Sequence, residues 1–149
     1  MIDRSMATTD QERLALRLLA SMEDGSLFTA LDTLCSADFE WANSGLPTLR
    51  GRNAIREFQA AGGFRQLVPI LGEMRSFSAD VHHLASRGDI VFTERTDHHW
   101  DGTGRDLMTP HIAGVIEIRG DRVVALRDYY DVACYQQVPT EPDPDHALV

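Results

Sequence analysis

The chain predicts an α+β fold with its helices first and a mostly antiparallel sheet after them. Through the first third, apolar residues recur at spacings of three and four, the period of a helix with one buried face. From residue 75 onward, runs that alternate in polarity are separated by Ser86-Arg87-Gly88-Asp89, Asp101-Gly102-Thr103-Gly104 and Gly120-Asp121. Turns this short join antiparallel neighbours. A sheet of that kind, bent around a helical lid, makes a pocket open at one end.

Residues 1–7 are expected to fray. Thr9 or Asp10 can cap a first helix whose buried positions are Leu14, Leu18, Leu19 and Met22, and Asp24-Gly25 stops it. Ser26 is placed to cap a second helix with Leu27, Leu31 and Leu34 as its apolar stripe, ending at Ala37-Asp38. Residues 39–43 alternate like a short strand, with Phe39, Trp41 and Asn43 on one face. Ser44-Gly45-Leu46-Pro47 is loop chemistry, and residues 52–61 read as a third helix closed by Gly62-Gly63. Phe64, Leu67, Val68 and Leu71 are spaced helically, but Pro69 cannot continue a regular helix from its interior, so a broken helix or lid is expected over 64–74. Strands are then predicted over 75–85, 90–100, 107–119 and 122–130. The segment 139–149, with three prolines and three carboxylates before His146, reads as a loosely held tail.

The totals narrow the class. A length of 149 residues suits one domain spanning 1–149, and no internal repeat is evident. A formal charge of -9 argues against nucleic acid or an anionic membrane as the main partner. No stretch approaches the ~20 apolar residues that span a bilayer, and residues 1–10 lack the apolar core of a signal peptide, so a cytoplasmic location is expected. Cys35 and Cys134 are too few for a disulfide framework and read as buried free thiols.

Chemistry concentrates in two stretches. In an extended strand side chains alternate faces, so Arg95 and Asp97 point the same way, beside Val91 and Thr93. By the same count Asp128 shares a face with Val124, Leu126 and Tyr130, a carboxylate on an otherwise apolar stripe. Burying it unpaired would cost several kcal/mol, so a cationic partner is expected, with Arg95 the candidate. Read by itself, an Arg with two Asp on strands is more often a structural ion-pair network than a catalytic unit.

The run Phe92-Thr93-Glu94-Arg95-Thr96-Asp97, followed about thirty residues later by Arg127-Asp128-Tyr129-Tyr130-Asp131, resembles the limonene epoxide hydrolase family, within the cone-shaped SnoaL-like, ketosteroid-isomerase-like and nuclear-transport-factor-like proteins. The likeness spans roughly residues 10–137. It implies a deep hydrophobic pocket, a homodimer, no cofactor and a buried triad onto which Arg95, Asp97 and Asp128 map, with Asn43 as the amide that positions a water. The family's Tyr does not carry over, because its position holds Trp41. An indole N–H donates a hydrogen bond but cannot accept one, whereas a phenol does both. The lid is also longer than the likeness leads one to expect.

Opening an epoxide with water needs a base for the nucleophile and an acid for the ring oxygen. Two carboxyls that resist ionising together supply both, with an Arg between them to hold position and balance charge. On this reading Asp128 is the base toward a water also held by Asn43, Asp97 is the acid, and Arg95 bridges them. Trp41, Tyr130, Leu71, His99 and Ile112 are the candidate substrate-lining residues. The runner-up activities are a cyclase or isomerase of natural-product assembly, and a binding protein of the same fold without catalysis.

Other chemistries lack support. His82-His83, His98-His99 and His111 come from successive strands, but adjacent residues on a strand face opposite ways, and no His-Glu-x-x-His or Cys-x-x-Cys pattern is present, so no metal is expected. There is also no Gly-x-Ser-x-Gly elbow, no Gly-x-Gly-x-x-Gly after a strand and no phosphate loop.

Overall fold

Helix α1 (Asp10–Glu23) begins where the sequence predicts. The Thr9 hydroxyl accepts from the Glu12 N–H at 3.1 Å, while the Glu12 carboxylate reaches back to the Thr8 N–H at 3.2 Å, so two donors that the helix start leaves free are satisfied reciprocally. The computed structural model that shows this describes residues 1–148. Helix α2 (Leu27–Thr33) is shorter than expected, and Ser26 makes no capping bond from its side chain. It stops because the next residues are claimed by the sheet: the Leu34 carbonyl accepts from the Val123 N–H at 2.8 Å, and strand β1 (Cys35–Asn43) starts four residues before the predicted one.

After the two-residue strand β2 (Leu49–Arg50) comes helix α3 (Arg52–Ala60). Gly62 and Gly63 break it with φ of +121° and +63°, conformations that residues with a Cβ rarely adopt. The expected broken lid follows as two single 3-10 turns, Gly63–Gln66 and Pro69–Leu71, with Pro69 at the start of the second, where its missing N–H costs no hydrogen bond.

Strands β3 (Met74–Arg87), β4 (Ile90–Asp101), β5 (His111–Arg119) and β6 (Arg122–Tyr129) form the antiparallel meander. Strand β5 begins later than predicted. Residues 107–110 still run alongside β4, but Pro110 has no N–H to give the ladder and contributes only its carbonyl, to the Asp97 N–H at 3.2 Å. The sheet order is β2-β1-β6-β5-β4-β3, and it is mixed because β1 lies parallel to β6. This is a six-stranded curved sheet of the cone type, not closed into a barrel, with the helices across its concave face. A register shift between β5 and β6 near Glu117 and Ile118 turns Val123, rather than Val124, toward Leu126 in the core.

The main core packs α1 and α2 against the sheet through Leu16, Leu19, Leu31, Phe39, Val91 and Leu126. A smaller cluster of Val68, Leu71, Leu107 and Met108 seals the lid end. Both chain ends are held more firmly than expected. Ile2 is buried and its N–H donates to Glu23, while the tail stacks His146 on Trp100 with ring centroids 3.9 Å apart and lays the Thr140 carbonyl on the Arg105 side chain. Cys35 is buried as predicted, whereas Cys134 is only partly so. No helix among the described residues is long and apolar enough to cross a membrane.

Candidate active site

Alternation along β4 puts Val91, Thr93, Arg95 and Asp97 on the concave face, and β5 and β6 bring Gly114 and Asp128 beside them. Arg95 is 2% exposed and lies between two carboxylates that are 6% and 5% exposed. Its Nε and Nη2 donate to the two oxygens of Asp97 at 2.8 and 3.3 Å, and Nη2 also donates to Asp128 Oδ2 at 2.5 Å. Nη1 donates to the Thr93 hydroxyl at 3.3 Å. The three predicted residues are therefore one hydrogen-bonded unit.

The glycine opposite them permits this. A Cβ on Gly114 would lie 2.6 Å from Thr93 Oγ1, 2.7 Å from Arg95 Nη1 and 2.9 Å from Asp128 Oδ1. All three distances are shorter than side chains tolerate without displacement. Only a residue with no side chain lets the guanidinium and Asp128 settle flat on the floor of the sheet.

Burial opposes the charge on Arg95, but the two carboxylates outweigh it and hold the guanidinium ionised. Asp128 goes the other way. Desolvation pushes its carboxyl above the usual range, Arg95 only partly offsets that, and Asp97 adds to it. Geometry agrees, because Arg95 grips both oxygens of Asp97 but only one of Asp128, whose Oδ1 is buried without a partner. The proton affinity of Asp128 is therefore raised by its surroundings.

Asn43 reaches the site through the parallel pairing of β1 with β6, where it stands opposite Asp128. Its amide oxygen is 3.2 Å from the Tyr130 hydroxyl, which is 2.6 Å from the Tyr135 hydroxyl, itself 2.6 Å from the Ser44 carbonyl. Three contacts between oxygens share only two phenolic protons. All three are satisfied if the Asn43 amide is turned over so that its N–H donates to Tyr130, which leaves its carbonyl free to accept a further hydrogen bond. Tyr135 was not singled out from sequence; only its place in this chain of hydroxyls reveals it.

These groups line a cavity of about 430 Å³, within the size range of small-molecule sites. Trp41, Leu71, His99, Ile112 and Tyr130 all line it as well. Trp41 packs edge-on against Phe64 of the lid at 5.0 Å, and its indole N–H is buried with no partner. His99 donates from Nδ1 to the Met108 carbonyl at 2.7 Å. Among the described residues, the fully buried side-chain polar atoms without a partner are the indole nitrogen of Trp41 and Oδ1 of Asp128.

Known structures share this fold. The structure of an LEH-like epoxide hydrolase from M. tuberculosis is 26% identical, covers 87% of this chain and 88% of its own, and superposes with a TM-score of 0.66. Two more distant structures share the fold. One, described as a SnoaL-like polyketide cyclase from Jannaschia sp., is 14% identical over 93% of this chain and 100% of that one, with a TM-score of 0.66. The other, an NTF2-like protein of unknown function from Burkholderia pseudomallei, is 16% identical over 85% and 94%, with a TM-score of 0.65. No curated protein matches significantly. The model of the limonene-1,2-epoxide hydrolase catalytic domain matches residues 9–138, and the chain belongs to that family.

Proposed function

We propose that the chain is an epoxide hydrolase that opens a hydrophobic small-molecule epoxide by direct attack of water. The observation that carries this reading is a guanidinium hydrogen-bonded to two buried carboxylates inside an otherwise largely apolar cavity. Water forms the new C–O bond and gives a proton to Asp128, while the ring C–O bond breaks and its oxygen takes a proton from Asp97. The product is a diol, and no covalent enzyme intermediate is needed. A proton then returns from Asp128 to Asp97 and resets the pair.

The elevated proton affinity of Asp128 suits a base that must deprotonate water. Substrate selects the working protonation state. An epoxide oxygen can only accept, so it favours a donor on Asp97, and a water beside Asp128 can donate, so it favours the ionised base. Both effects draw the proton toward Asp97 on binding, and titration belongs to the coupled pair. With its amide turned over so that the N–H donates to Tyr130, Asn43 would offer its carbonyl to the second proton of the water.

Trp41 favours a second reading, a cyclase in which an internal hydroxyl of the substrate replaces water. Its indole gives the nucleophile a donor but no acceptor, so less of a water's hydrogen bonding is supplied than by a phenol. Turnover of a panel of epoxides in oxygen-18 water separates the two. Label in a diol is the expected result; an unlabelled cyclic ether would establish cyclisation. No turnover, with ligand binding unaffected by Asp128→Asn, would leave a binding protein.

A further inference from the structure

One polar group in the cavity has no part in that mechanism. His99 lies two residues beyond Asp97 on β4 and lines the same cavity. Three contacts hold the residue, two of them made by its ring. Nδ1 donates to the Met108 carbonyl at 2.7 Å, the His99 backbone N–H donates to the Asp106 carboxylate at 3.0 Å, and the ring packs edge-on against Phe77 with centroids 5.4 Å apart.

Burial holds the imidazole below its ordinary pKa, which keeps the ring neutral. With its one proton committed to Met108 through Nδ1, the other nitrogen is left as a lone-pair acceptor. Among the described residues Nε2 has no hydrogen-bond partner, yet it is not among the fully buried atoms, and the residue lines the cavity. A hydrocarbon pressed against it would strip its water and return nothing, whereas a donor on the substrate would replace that water.

Resting on the hydrolase reading, we propose that His99 Nε2 is a substrate-recognition acceptor, and that the preferred substrate is an epoxide bearing a hydroxyl or N–H about 7 Å from its ring oxygen, the spacing of two residues along a strand. A purely hydrocarbon terpene oxide would enter the pocket but fit it less well.

Limonene oxide and α-terpineol oxide test this, because they share a ring and the isopropenyl group opposite the epoxide in the first is a hydrated 2-hydroxypropan-2-yl group in the second. The wild-type protein is expected to favour the hydroxylated epoxide in kcat/KM by at least ~10-fold. That ratio should collapse by at least ~10-fold in His99→Met. It should survive in His99→Gln, whose amide can serve the Met108 carbonyl and still offer an oxygen. A wild-type ratio near one, or a ratio that His99→Met leaves unmoved, overturns the proposal.

If no epoxide is turned over, the hydrolase reading fails alone, and the role of His99 is read from binding of unreactive limonene and α-terpineol. Tighter α-terpineol binding, together with an imidazole nitrogen-15 resonance of Nε2 that moves with α-terpineol and not with limonene, supports it without any variant. Equal affinities, or an Nε2 resonance that ignores the alcohol, overturn it.

Discussion

Strand β4 carries a cluster of hydrogen-bonded titratable side chains on each face, and the two differ in what surrounds them. On the concave face Arg95, Asp97 and Asp128 are almost wholly removed from solvent. On the convex face Glu94 holds His83 at 2.8 Å and His111 at 3.2 Å, in the open, beside an exposed Phe92. Distances are similar, but a guanidinium stands between two carboxylates in the inner set and a carboxylate between two imidazoles in the outer. Water screens the outer set, so it contributes little. In the inner set desolvation opposes every charge, and the arrangement survives because each ionised group has a partner. A buried cluster that adds little net stability while altering proton affinities is one whose value is chemical.

The largest contrast should come from removing the central cation on one face. Arg95→Leu leaves two carboxylates buried with nothing to pair them, a loss of about 3–5 kcal/mol. Urea unfolding should show a sharply lowered midpoint and activity should vanish. A midpoint within experimental scatter of wild type would mean the inner cluster is no more demanding than the outer one.

Asp128→Asn and Asp97→Asn keep the shape of each group and remove its proton chemistry. Each should lower kcat at least ~100-fold, the usual scale of a general acid or base. For Asp128 the effect on stability has the opposite sign. Its folded pKa lies above the unfolded one, so its contribution is present at low pH and lost as pH rises through the folded value. Near neutrality Asp128→Asn should therefore be at least as stable as wild type, by thermal melting, though nearly inactive. The acidic limb of the wild-type kcat/KM profile should also lie above the ordinary carboxylate range. A limb near the unperturbed value would remove Asp128 as the base.

A smaller change should follow from Gly114→Ala, which touches none of the reacting groups by identity but pushes Thr93, Arg95 and Asp128 together. Turnover is expected to fall by roughly 10-fold, since displacements of an ångström in a positioned site carry costs of that order or more. Unchanged kinetics would show that the triad has room to shift. Smallest of all is Glu94→Gln on the convex face, for which neither the melting temperature nor kcat should move measurably. A clear loss would make the outer cluster functional too.

Strand periodicity alone was enough to place Arg95 with Asp97, because alternation is a local property of the chain. The need for Asp128 to find a cation was also legible, since a carboxylate on an apolar stripe has few alternatives. Its partner's identity rested on strand order, and the structure supplies that: β5 lies between β4 and β6, and a bare glycine on it lets the side chains meet across the gap. Nothing local announced that Asn43 would stand opposite Asp128, because β1 and β6 pair in parallel across more than half of the chain. The end of α2 was misplaced for a related reason: the stripe Leu27, Leu31 and Leu34 carries a helical spacing up to Cys35, where the chain instead joins the sheet beside Val123 of β6.

Amino-acid order by itself determined the helices, the alternating strands and the residue types that the chemistry needs, all of which follow from spacing within a few residues. The tertiary structure alone decided the raised proton affinity of Asp128, the meeting of Asn43 with Tyr130 and Tyr135, and the lowered proton affinity of His99. Those depend on desolvation and on partners distant in the chain, and both arise only once the sheet has curved around the cavity.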